Sequence, residues 1–196
     1  MSSRGNIRGG RTIVFLGISG SGKGTQTARL LRALPGSINL STGKAFRRFA
    51  KRPTRVGRFV KGIIERGGIM PYWAPAYVWL NAFFENLRGD ESVVFDGAPR
   101  LVAEARMIDD FMRDTGRSAP VVIYLALHEQ EARRRLLARG RNDDTPAAIH
   151  RRFAWFREHV RPVISYYRQR RRLMTVNGDQ PVPAVWRDIK KALRIA

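Results

Sequence analysis

The sequence predicts an α/β fold: a three-layer, doubly wound sandwich in which helices cover both faces of a five-stranded parallel sheet. Strand-like apolar runs alternate with helical patterns along the 196 residues, which is the order that favours a parallel sheet. These runs are apolar on both faces, as expected for strands buried between two helical layers. A glycine-rich turn and an Asp-Gly pair each follow a strand directly. Open parallel sheets bind their ligands at those carboxyl ends.

The strands are predicted from short runs rich in Val, Ile, Leu and Phe that end at turn residues. They cover 11–16, 37–40, 92–95, 120–127 and 173–176. The predicted helices cover 24–34, 42–51, 54–66, 73–87, 101–115, 129–138, 146–171 and 182–195. Pro53 separates the second helix from the third. Pro162 predicts that 146–171 is either one bent helix or a pair of helices.

Length and composition indicate a single domain with a substantial core. The chain has 196 residues, of which 43% are hydrophobic, so most of it is expected to be ordered. Residues 1–10 are predicted to form a flexible tail, and 11–196 a single domain. No apolar run reaches the ~18 residues of a membrane span, and no secretory signal is expected. The absence of cysteine excludes a disulfide framework and fits a cytoplasmic location.

The positive charge is unevenly distributed. The formal net charge is +21, from 37 basic and 16 acidic residues. Fourteen Lys and Arg but no acidic residue precede Glu65, and a second concentration of arginine includes the run from Arg168 to Arg172. Either the chain simply carries arginine on its solvated faces, or a positive field attracts polyanions, from nucleotides to weakly and non-specifically bound nucleic acid. Charge alone does not separate these interpretations.

The segment GISGSGKGTQ, at 17–26, joins the first strand to the first helix with the spacing of a phosphate-binding loop. Glycines in such a turn let backbone N–H groups face phosphate oxygens, and the helix N-terminus adds positive charge. Lys23 supplies a cation for the outer phosphates. Gly24 stands where a magnesium-binding Ser or Thr usually follows the lysine. A merely structural tight turn is the alternative, but the flanking strand, helix and lysine favour the phosphate site.

Six segments, in order, resemble the nucleoside monophosphate kinases, a family of P-loop kinases, and within it the short-lid adenylate kinases. They are GISGSGKGTQ at 17–26, LSTGKAFR at 40–47, GGIMP at 67–71, VVFDGAPR at 93–100, RGRNDD at 139–144 and NGDQPV at 177–182. The resemblance covers nearly the whole chain. It implies a helical acceptor-nucleotide insert at 41–70 and a very short lid at 139–145. It also implies a monomeric enzyme that reversibly transfers the terminal phosphoryl group of ATP to AMP, giving two ADP.

The resemblance assigns roles to individual residues. The ATP-binding residues would be Gly20, Ser21, Gly22, Lys23, Gly24, Thr25, Arg135, Arg139 and Gln180. The AMP-binding residues would be Thr42, Arg47, Gly68, Ile69, Met70, Gly97, Ala98, Pro99, Arg100, Glu104, Arg141 and Arg152. The catalytic residues would be Lys23, Arg100, Arg139, Arg141 and Arg152. Their charges would neutralise two polyphosphates held in line for transfer.

The metal implied by the resemblance is Mg²⁺, bound mainly through nucleotide phosphates and reaching Asp96 through water. A hydroxyl at Gly24 would then be dispensable, and no zinc site is implied. The same resemblance implies a cis peptide bond between Ala98 and Pro99. Asp96 also has a structural alternative, as a turn residue before Gly97.

Other residues have structural alternatives as well. Asp143 and Asp144 are placed to cap the helix that begins near Thr145, and we expect them both to cap it and to pair with lid arginines. The assigned arginines lie in an Arg-rich sequence, so surface charge is an alternative for each. His128, His150 and His159 share no metal-binding spacing. The aromatic residues between Tyr72 and Phe84 are expected to form the core of the acceptor-side helices rather than a base-stacking platform.

Two residues depart from the family pattern in the acceptor region. Lys44 stands where the family usually has Asp. Glu104 stands where adenylate kinases usually have a Gln that reads the adenine edge, and an ionised carboxylate accepts hydrogen bonds but donates none. This favours guanine, whereas Thr42 favours adenine over a pyrimidine. We therefore expect AMP as acceptor, with a preference weakened by Glu104.

The lid is shorter than in most relatives, because Gly140 and Arg141 are adjacent. We expect this stub to place Arg139 and Arg141 over the phosphates, with some loss of ATP to water. Two alternatives stay open at this stage. One is a kinase for UMP, CMP or another nucleoside monophosphate, and the other is a catalytically weak, nucleic-acid-binding relative.

Overall fold

The computed structural model describes residues 10–68, 70–89 and 91–195. Its five strands form one sheet in the order β2-β3-β1-β4-β5, and every neighbouring pair is parallel. The strands are β1 (Thr12–Leu16), β2 (Ile38–Ser41), β3 (Val93–Asp96), β4 (Val121–Ala126) and β5 (Leu173–Asn177). The predicted α/β fold with a five-stranded parallel sheet is confirmed. Residues 1–9 of the predicted tail lie outside the described residues.

The helices agree with the predicted segments to within a few residues. They are α1 (Lys23–Ala33), α2 (Thr42–Phe49), α3 (Arg55–Glu65), α4 (Trp73–Asn86), α5 (Val102–Asp114), α6 (Glu129–Arg139), α7 (Pro146–Trp155), α8 (Arg161–Gln169) and α9 (Val182–Leu193). Pro53 falls in the turn between α2 and α3, as predicted. None of the described helices is long and apolar enough to cross a membrane.

Strand side chains alternate between two apolar layers, because successive residues of a strand point to opposite faces. On one face, Ile13 and Phe15 belong to a cluster with Leu30 of α1 and Ile189 of α9. The other face packs on the helices between α4 and α8. Its buried members include Val14, Leu16, Trp79, Ile108, Leu136, Phe153 and Tyr167. The sheet is therefore the middle of three layers, and its carboxyl edge is left for the loops that form the site.

A third, smaller apolar cluster lies outside the sheet. Phe46 of α2, Val60 of α3, Met70 just before α4 and Ala74 in its first turn are buried together. The hydroxyl of Thr54 caps α3 by accepting the backbone N–H of Gly57 at 2.9 Å. The acceptor-side helices thus have a core of their own, and the limits 41–70 of the insert stay a prediction.

The predicted bend near Pro162 takes the form of a π-helical turn, Phe156–Val160, between α7 and α8. The N–H of Arg161 bonds to the carbonyl of Phe156, five residues earlier. Phe156 and Val160 are both buried in the core. The helical path therefore continues from α7 into α8 with one widened turn just before the proline.

Not all the aromatic residues of α4 are in the core. Trp79 and Phe83 are buried, as predicted, and pack with Phe95 and Phe111. Four others are exposed, so the prediction was wrong for them: Tyr72, Trp73, Tyr77 and Phe84. Trp73 nevertheless stacks on Phe59 of α3, and the ring of Tyr77 lies 6.4 Å from that of Phe49 on α2.

Candidate active site

The loop after β1 has a backbone that requires glycine at specific positions. Gly20 and Gly22 have φ of 89° and 90°, in the left-handed region that disfavours other residues. A Cβ at Gly20 would also lie 2.7 Å from the carbonyl oxygen of Ala132 on α6. No described side chain caps α1 at Gly22. The N–H groups of its first turn are therefore available to an anion.

Lys23 is the first residue of α1, and its ammonium group folds back onto the loop. Its Nζ donates to the carbonyl oxygens of Gly17, at 2.7 Å, and Ile18, at 2.9 Å. Burial lowers the pKa of Lys23 to about 8, although the nearby Asp96 carboxylate acts to raise it. The lysine is thus still mainly a cation at pH 7, and it lies within the loop that would enclose phosphate.

A cleft of about 840 Å³ opens above this loop at the carboxyl edge of the sheet. Its walls come from several separate segments of the chain. Cations that line it are Lys23, Lys44, Arg47, Arg100, Arg135, Arg139, Arg141 and Arg152. The predicted convergence of distant basic side chains on the glycine loop is therefore present. Such a cluster of like charges is unfavourable unless anions bind between them.

Most predicted nucleotide-binding residues line this cleft. They include Gly20, Ser21, Gly22, Gly24, Thr25, Gly68, Met70, Asp96, Gly97, Pro99 and Gln180. Thr42 and Glu104 line a small adjoining pocket instead. Ala98 is fully buried in the core beneath the loop and does not line the cleft. Ile69 lies outside the described residues.

Arg100 is held from its own backbone turn. Its Nε donates to the carbonyl oxygen of Gly97 at 2.8 Å, and its backbone N–H donates to Oε2 of Glu104 at 2.7 Å. The Ala98-Pro99 peptide bond within this turn is cis, as predicted. Burial lowers the pKa of the Arg100 guanidinium, but an arginine stays charged under all working conditions. Arg100 makes no ion pair within 4.0 Å in the part of the chain that the structure describes.

A closed network of two arginines and two aspartates joins the short lid to α7. Arg139 binds both carboxylate oxygens of Asp144 at 2.8 Å. Arg152 binds Asp144 at 2.8 Å and Asp143 at 2.7 Å. The predicted pairing with a lid arginine holds for Asp144, which binds Arg139, whereas Asp143 pairs with Arg152 of α7 instead.

The predicted capping role of the same aspartates is wrong. Thr145 caps α7, since its hydroxyl accepts the N–H of Ala148 at 3.2 Å. The carboxylates point the other way, toward Arg139 and Arg152, and the side chain of Asp144 is only 1% exposed. Arg141 stays outside the network, and burial together with Arg139 and Arg47 lowers its pKa.

The far end of the cleft, beyond β5, has a loop fixed by hydrogen bonds. Nη1 of Arg135 donates to the carbonyl oxygen of Gly178 at 3.0 Å, while its Nε binds Glu131 at 2.6 Å. Nε2 of Gln180 donates to Asp188 at 2.7 Å. Val182 and Val185 give this end of the cleft apolar walls. Such walls suit a nucleotide base bound between the loop after β5 and α9.

The small adjoining pocket has apolar walls and two unpaired polar atoms. Its lining comprises Thr42, Phe46, Met70, Tyr72, Pro75, Gly97, Arg100, Leu101 and Glu104. The Oγ1 of Thr42 and the Oε1 of Glu104 are buried and have no hydrogen-bond partner among the described residues. Burial raises the pKa of Glu104 to about 7, although the hydrogen bond from the Arg100 backbone acts to lower it. A Cβ at Gly97, where φ is 97°, would lie 2.9 Å from the Thr42 hydroxyl.

Sequence reasoning missed several residues that line the cleft. Ser41, at the end of β2, donates to Oδ2 of Asp96 at 3.5 Å. Its position was readable, because the carboxyl ends of adjacent parallel strands meet at one edge of a sheet. Trp155, Phe156 and Val160 also line the cleft. No sequence signal marked them, since only the packing of α7 against α6 and the sheet decides which residues face the cleft.

Comparison with known proteins agrees with this geometry. A family model described as adenylate kinase matches residues 15–172. The chain belongs to the adenylate kinase family. It is 36% identical to an adenylate kinase of Thermus thermophilus over 192 residues, covering 95% of this chain and 98% of that protein. An "Adenylate kinase 1" of Nostoc sp. is 32% identical over 181 residues, covering 92% of this chain and 97% of that protein.

A third relative is an adenylate kinase of Azobacteroides pseudotrichonymphae. It is 32% identical over 181 residues, which cover 90% of this chain and 94% of that protein. Family membership identifies the chain as a phosphotransferase of the P-loop type. The resemblance inferred from six sequence segments is thereby confirmed.

Proposed function

We propose that the chain transfers the terminal phosphoryl group of ATP to AMP reversibly, giving two ADP. The observation that carries this proposal is the convergence of Lys23 and the cleft arginines on the glycine loop, in a cleft of about 840 Å³ that adjoins a small pocket lined by Thr42 and Glu104. Membership of the adenylate kinase family gives independent support. The donor would lie along the loop toward Gln180, and the acceptor would lie with its base near Glu104.

In this arrangement the side chains act by position and charge. An oxygen of the AMP phosphate attacks the γ-phosphorus of ATP, and the bond from that phosphorus to the bridging β,γ-oxygen breaks. No general base is needed, because the acceptor phosphate is already a nucleophile. Arg47, Arg100 and Arg141 make no described ion pair, so they are free to bind phosphates. Lys23 would bind the transferred group, and all these cations stabilise the charge that spreads over it.

A magnesium ion fits this site if the nucleotide carries it. Within the described ranges, no cluster of three His, Cys, Asp or Glu side chains forms a protein-built metal site. Asp96 offers one carboxylate at the floor of the cleft, 3.5 Å from the Ser41 hydroxyl. Mg²⁺ typically keeps several waters and binds through one or two carboxylates plus substrate phosphates. It would neutralise phosphate charge, with Asp96 holding one of its waters.

The reaction is tested by incubating the full chain with ATP and AMP and measuring both nucleotides and ADP. Two ADP should form for each AMP consumed, and a dinucleotide with two adenosines joined by a polyphosphate should inhibit by occupying both sites. The assay should be repeated with GMP, CMP and UMP. If CMP or UMP is turned over faster than AMP, the chain is a pyrimidine nucleoside monophosphate kinase and the proposed acceptor is wrong.

Nucleic-acid binding is the alternative suggested by the net charge of +21. Part of the basic run from Arg168 to Arg172 has intramolecular partners. Arg172 binds Asp109 at 3.0 and 2.7 Å, and Arg170 lies 3.7 Å over the ring of Tyr166. Weak, salt-sensitive retention on RNA or DNA stays a prediction for so basic a protein. Retention without any phosphoryl transfer would favour the alternative. The monomeric state and the cytoplasmic location are likewise proposals.

A further inference from the structure

The acceptor pocket contains one carboxyl group that is only half satisfied. Glu104 is 1% exposed, and its Oε2 accepts the backbone N–H of Arg100 at 2.7 Å. Its Oε1 is buried and has no partner within the described part of the chain. An unpaired buried polar atom destabilises the folded chain, because it has given up its hydrogen bonds to water. The pocket is therefore suited to a ligand that completes the hydrogen bonding of Glu104.

The protonation state of Glu104 decides which ligand does so. A neutral carboxylic acid both donates and accepts, whereas a carboxylate only accepts. The hydrogen-bonding edge of adenine places an acceptor, N1, beside a donor amino group. Guanine has a carbonyl oxygen in place of that amino group, and its two neighbouring donors, N1–H and the 2-amino group, meet a carboxylate when the base is shifted along the same edge. The neutral acid therefore matches adenine, and the carboxylate matches guanine.

We propose that Glu104 is the specificity-determining residue for the acceptor purine, selecting AMP when it is protonated and GMP when it is ionised. This inference rests on the proposed function of the site as an acceptor-nucleotide pocket. It extends that function, because one enzyme would then change its acceptor with pH. A glutamine at this position, by contrast, would donate and accept at every pH.

The groups that face Glu104 allow both protonation states near neutrality. Burial raises its pKa, while the backbone N–H and the guanidinium of Arg100 act to lower it. From α8, Tyr167 interacts with Glu104, and burial raises the pKa of Tyr167, which therefore stays neutral. Asp109, further along α5, is neutralised by Arg172. Thr42 and Tyr72 also line the pocket.

The test is the ratio of kcat/KM for AMP to kcat/KM for GMP, measured with ATP at saturating concentration. Both acceptors carry the same phosphate, so the titration of phosphate, magnesium complexes and Lys23 cancels in the ratio. If AMP is bound only by the protonated form of Glu104 and GMP only by the ionised form, the ratio falls about tenfold for each pH unit between about pH 5.5 and about pH 8.5. A ratio that stays constant over this range, with AMP turned over, overturns the proposal.

The variant Glu104→Gln separates a specificity role from a structural one. Its side chain still accepts the Arg100 N–H and donates to adenine, but it no longer titrates. The ratio should then favour AMP and become independent of pH. Glu65→Gln is the matched control, because Glu65 is 62% exposed on α3. This substitution should leave the dependence of the AMP-to-GMP ratio on pH as it is in the wild type. A Glu104→Gln variant with the wild-type slope assigns the titration to another group and overturns the proposal.

Proton exchange on binding gives a second readout that does not need turnover. Calorimetric titration of AMP at pH 8, in two buffers with different ionisation enthalpies, should show more proton uptake for the wild type than for Glu104→Gln. An equal number of protons for the two proteins contradicts the proposal. If AMP binds with the expected proton uptake and no ADP forms, the proposed phosphoryl transfer has failed while the specificity role stands.

Discussion

Arg152 and Asp144 are joined at 2.8 Å across the lid, with 16% of the arginine side chain and 1% of the aspartate side chain exposed. Arg139 binds the same aspartate, also at 2.8 Å. Arg139 of the lid and Arg152 of α7 are thus held by protein carboxylates. Phosphates must compete with Asp143 and Asp144 for them, because each guanidinium has a limited set of donors.

Arg152→Met is expected to lower the free energy of unfolding by about 1–3 kcal/mol, because it leaves Asp143 unpaired and Asp144 with one partner instead of two. Urea denaturation measures the change. Arg157→Met is the control, since it breaks an exposed pair with Glu129 in which both side chains are about 40% exposed. That pair should contribute at most about 1 kcal/mol. Equal losses in the two variants would mean that the lid network is not specially stabilising.

Lys23→Met should reduce kcat roughly 10²- to 10³-fold, since a preorganised charge at the transferred group is removed. The fold should persist, because Lys23 bonds only to the loop carbonyl oxygens of Gly17 and Ile18. Lys61→Met serves as the control, because Lys61 is 61% exposed on α3. Initial rates measure kcat for each variant, and a circular dichroism spectrum checks that its fold persists. A kcat within a few-fold of the wild type would remove Lys23 from the catalytic residues.

Gly20→Ala and Gly36→Ala separate backbone strain from steric conflict in the loop. Both glycines have left-handed φ, 89° and 79°, so each substitution should cost about 1 kcal/mol or more of stability. At Gly20 the new Cβ would also lie 2.7 Å from the Ala132 carbonyl oxygen, whereas nothing lies within 4 Å at Gly36. Gly20→Ala should therefore lose at least about 1 kcal/mol more in urea denaturation. Similar losses at both positions would show that the loop moves aside without cost.

ATP hydrolysis in the absence of AMP should occur, but at least roughly tenfold more slowly than phosphoryl transfer, since closure of the site must exclude water. The lid is only the stub between α6 and α7, and Arg139 and Arg141 at its base are exposed. Phosphate release from ATP alone, compared with ADP formation after AMP is added, measures the difference. Hydrolysis as fast as transfer would mean that this stub does not shield the reacting groups.

The layered fold was predictable because the sequence repeats one simple signal. The central strands, such as Ile13 to Leu16, are apolar on both faces, and this pattern favours a parallel sheet between two helical layers. The glycine loop was predictable for a similar reason, since its spacing is local. The aromatic residues of α4 were not, because Trp73 and Trp79 are equally apolar and only the neighbouring helices decide which one is buried.

The lid shows a different limit of sequence reasoning. Asp143, Asp144 and Thr145 are all good capping residues. Thr145 makes the cap because the two carboxylates are taken up by Arg139 and Arg152. That choice depends on Arg152, eight positions from Asp144 and nine from Asp143, as well as on the nearer Arg139. The unpaired Oε1 of Glu104 is likewise a property of the folded pocket and not of the sequence around it.

Glu104 also makes the stability of the chain depend on pH. Its pKa rises from 4.5 to about 7 on folding, because burial disfavours the ionised form. The folded chain therefore binds a proton that the unfolded chain has lost between these two pH values. Stability from this group is fully present below pH 4.5 and is lost as the pH rises through about 7.

Glu104→Gln removes this titration, and at pH 8 it should raise the free energy of unfolding by about 1–3 kcal/mol relative to the wild type. At pH 5 the two proteins should differ much less, because Glu104 is then neutral in the folded chain. Urea denaturation at both pH values measures the difference. A variant that is no more stable than the wild type at pH 8 would mean that folding does not raise the pKa of Glu104, because the pocket stabilises the carboxylate as well as water does.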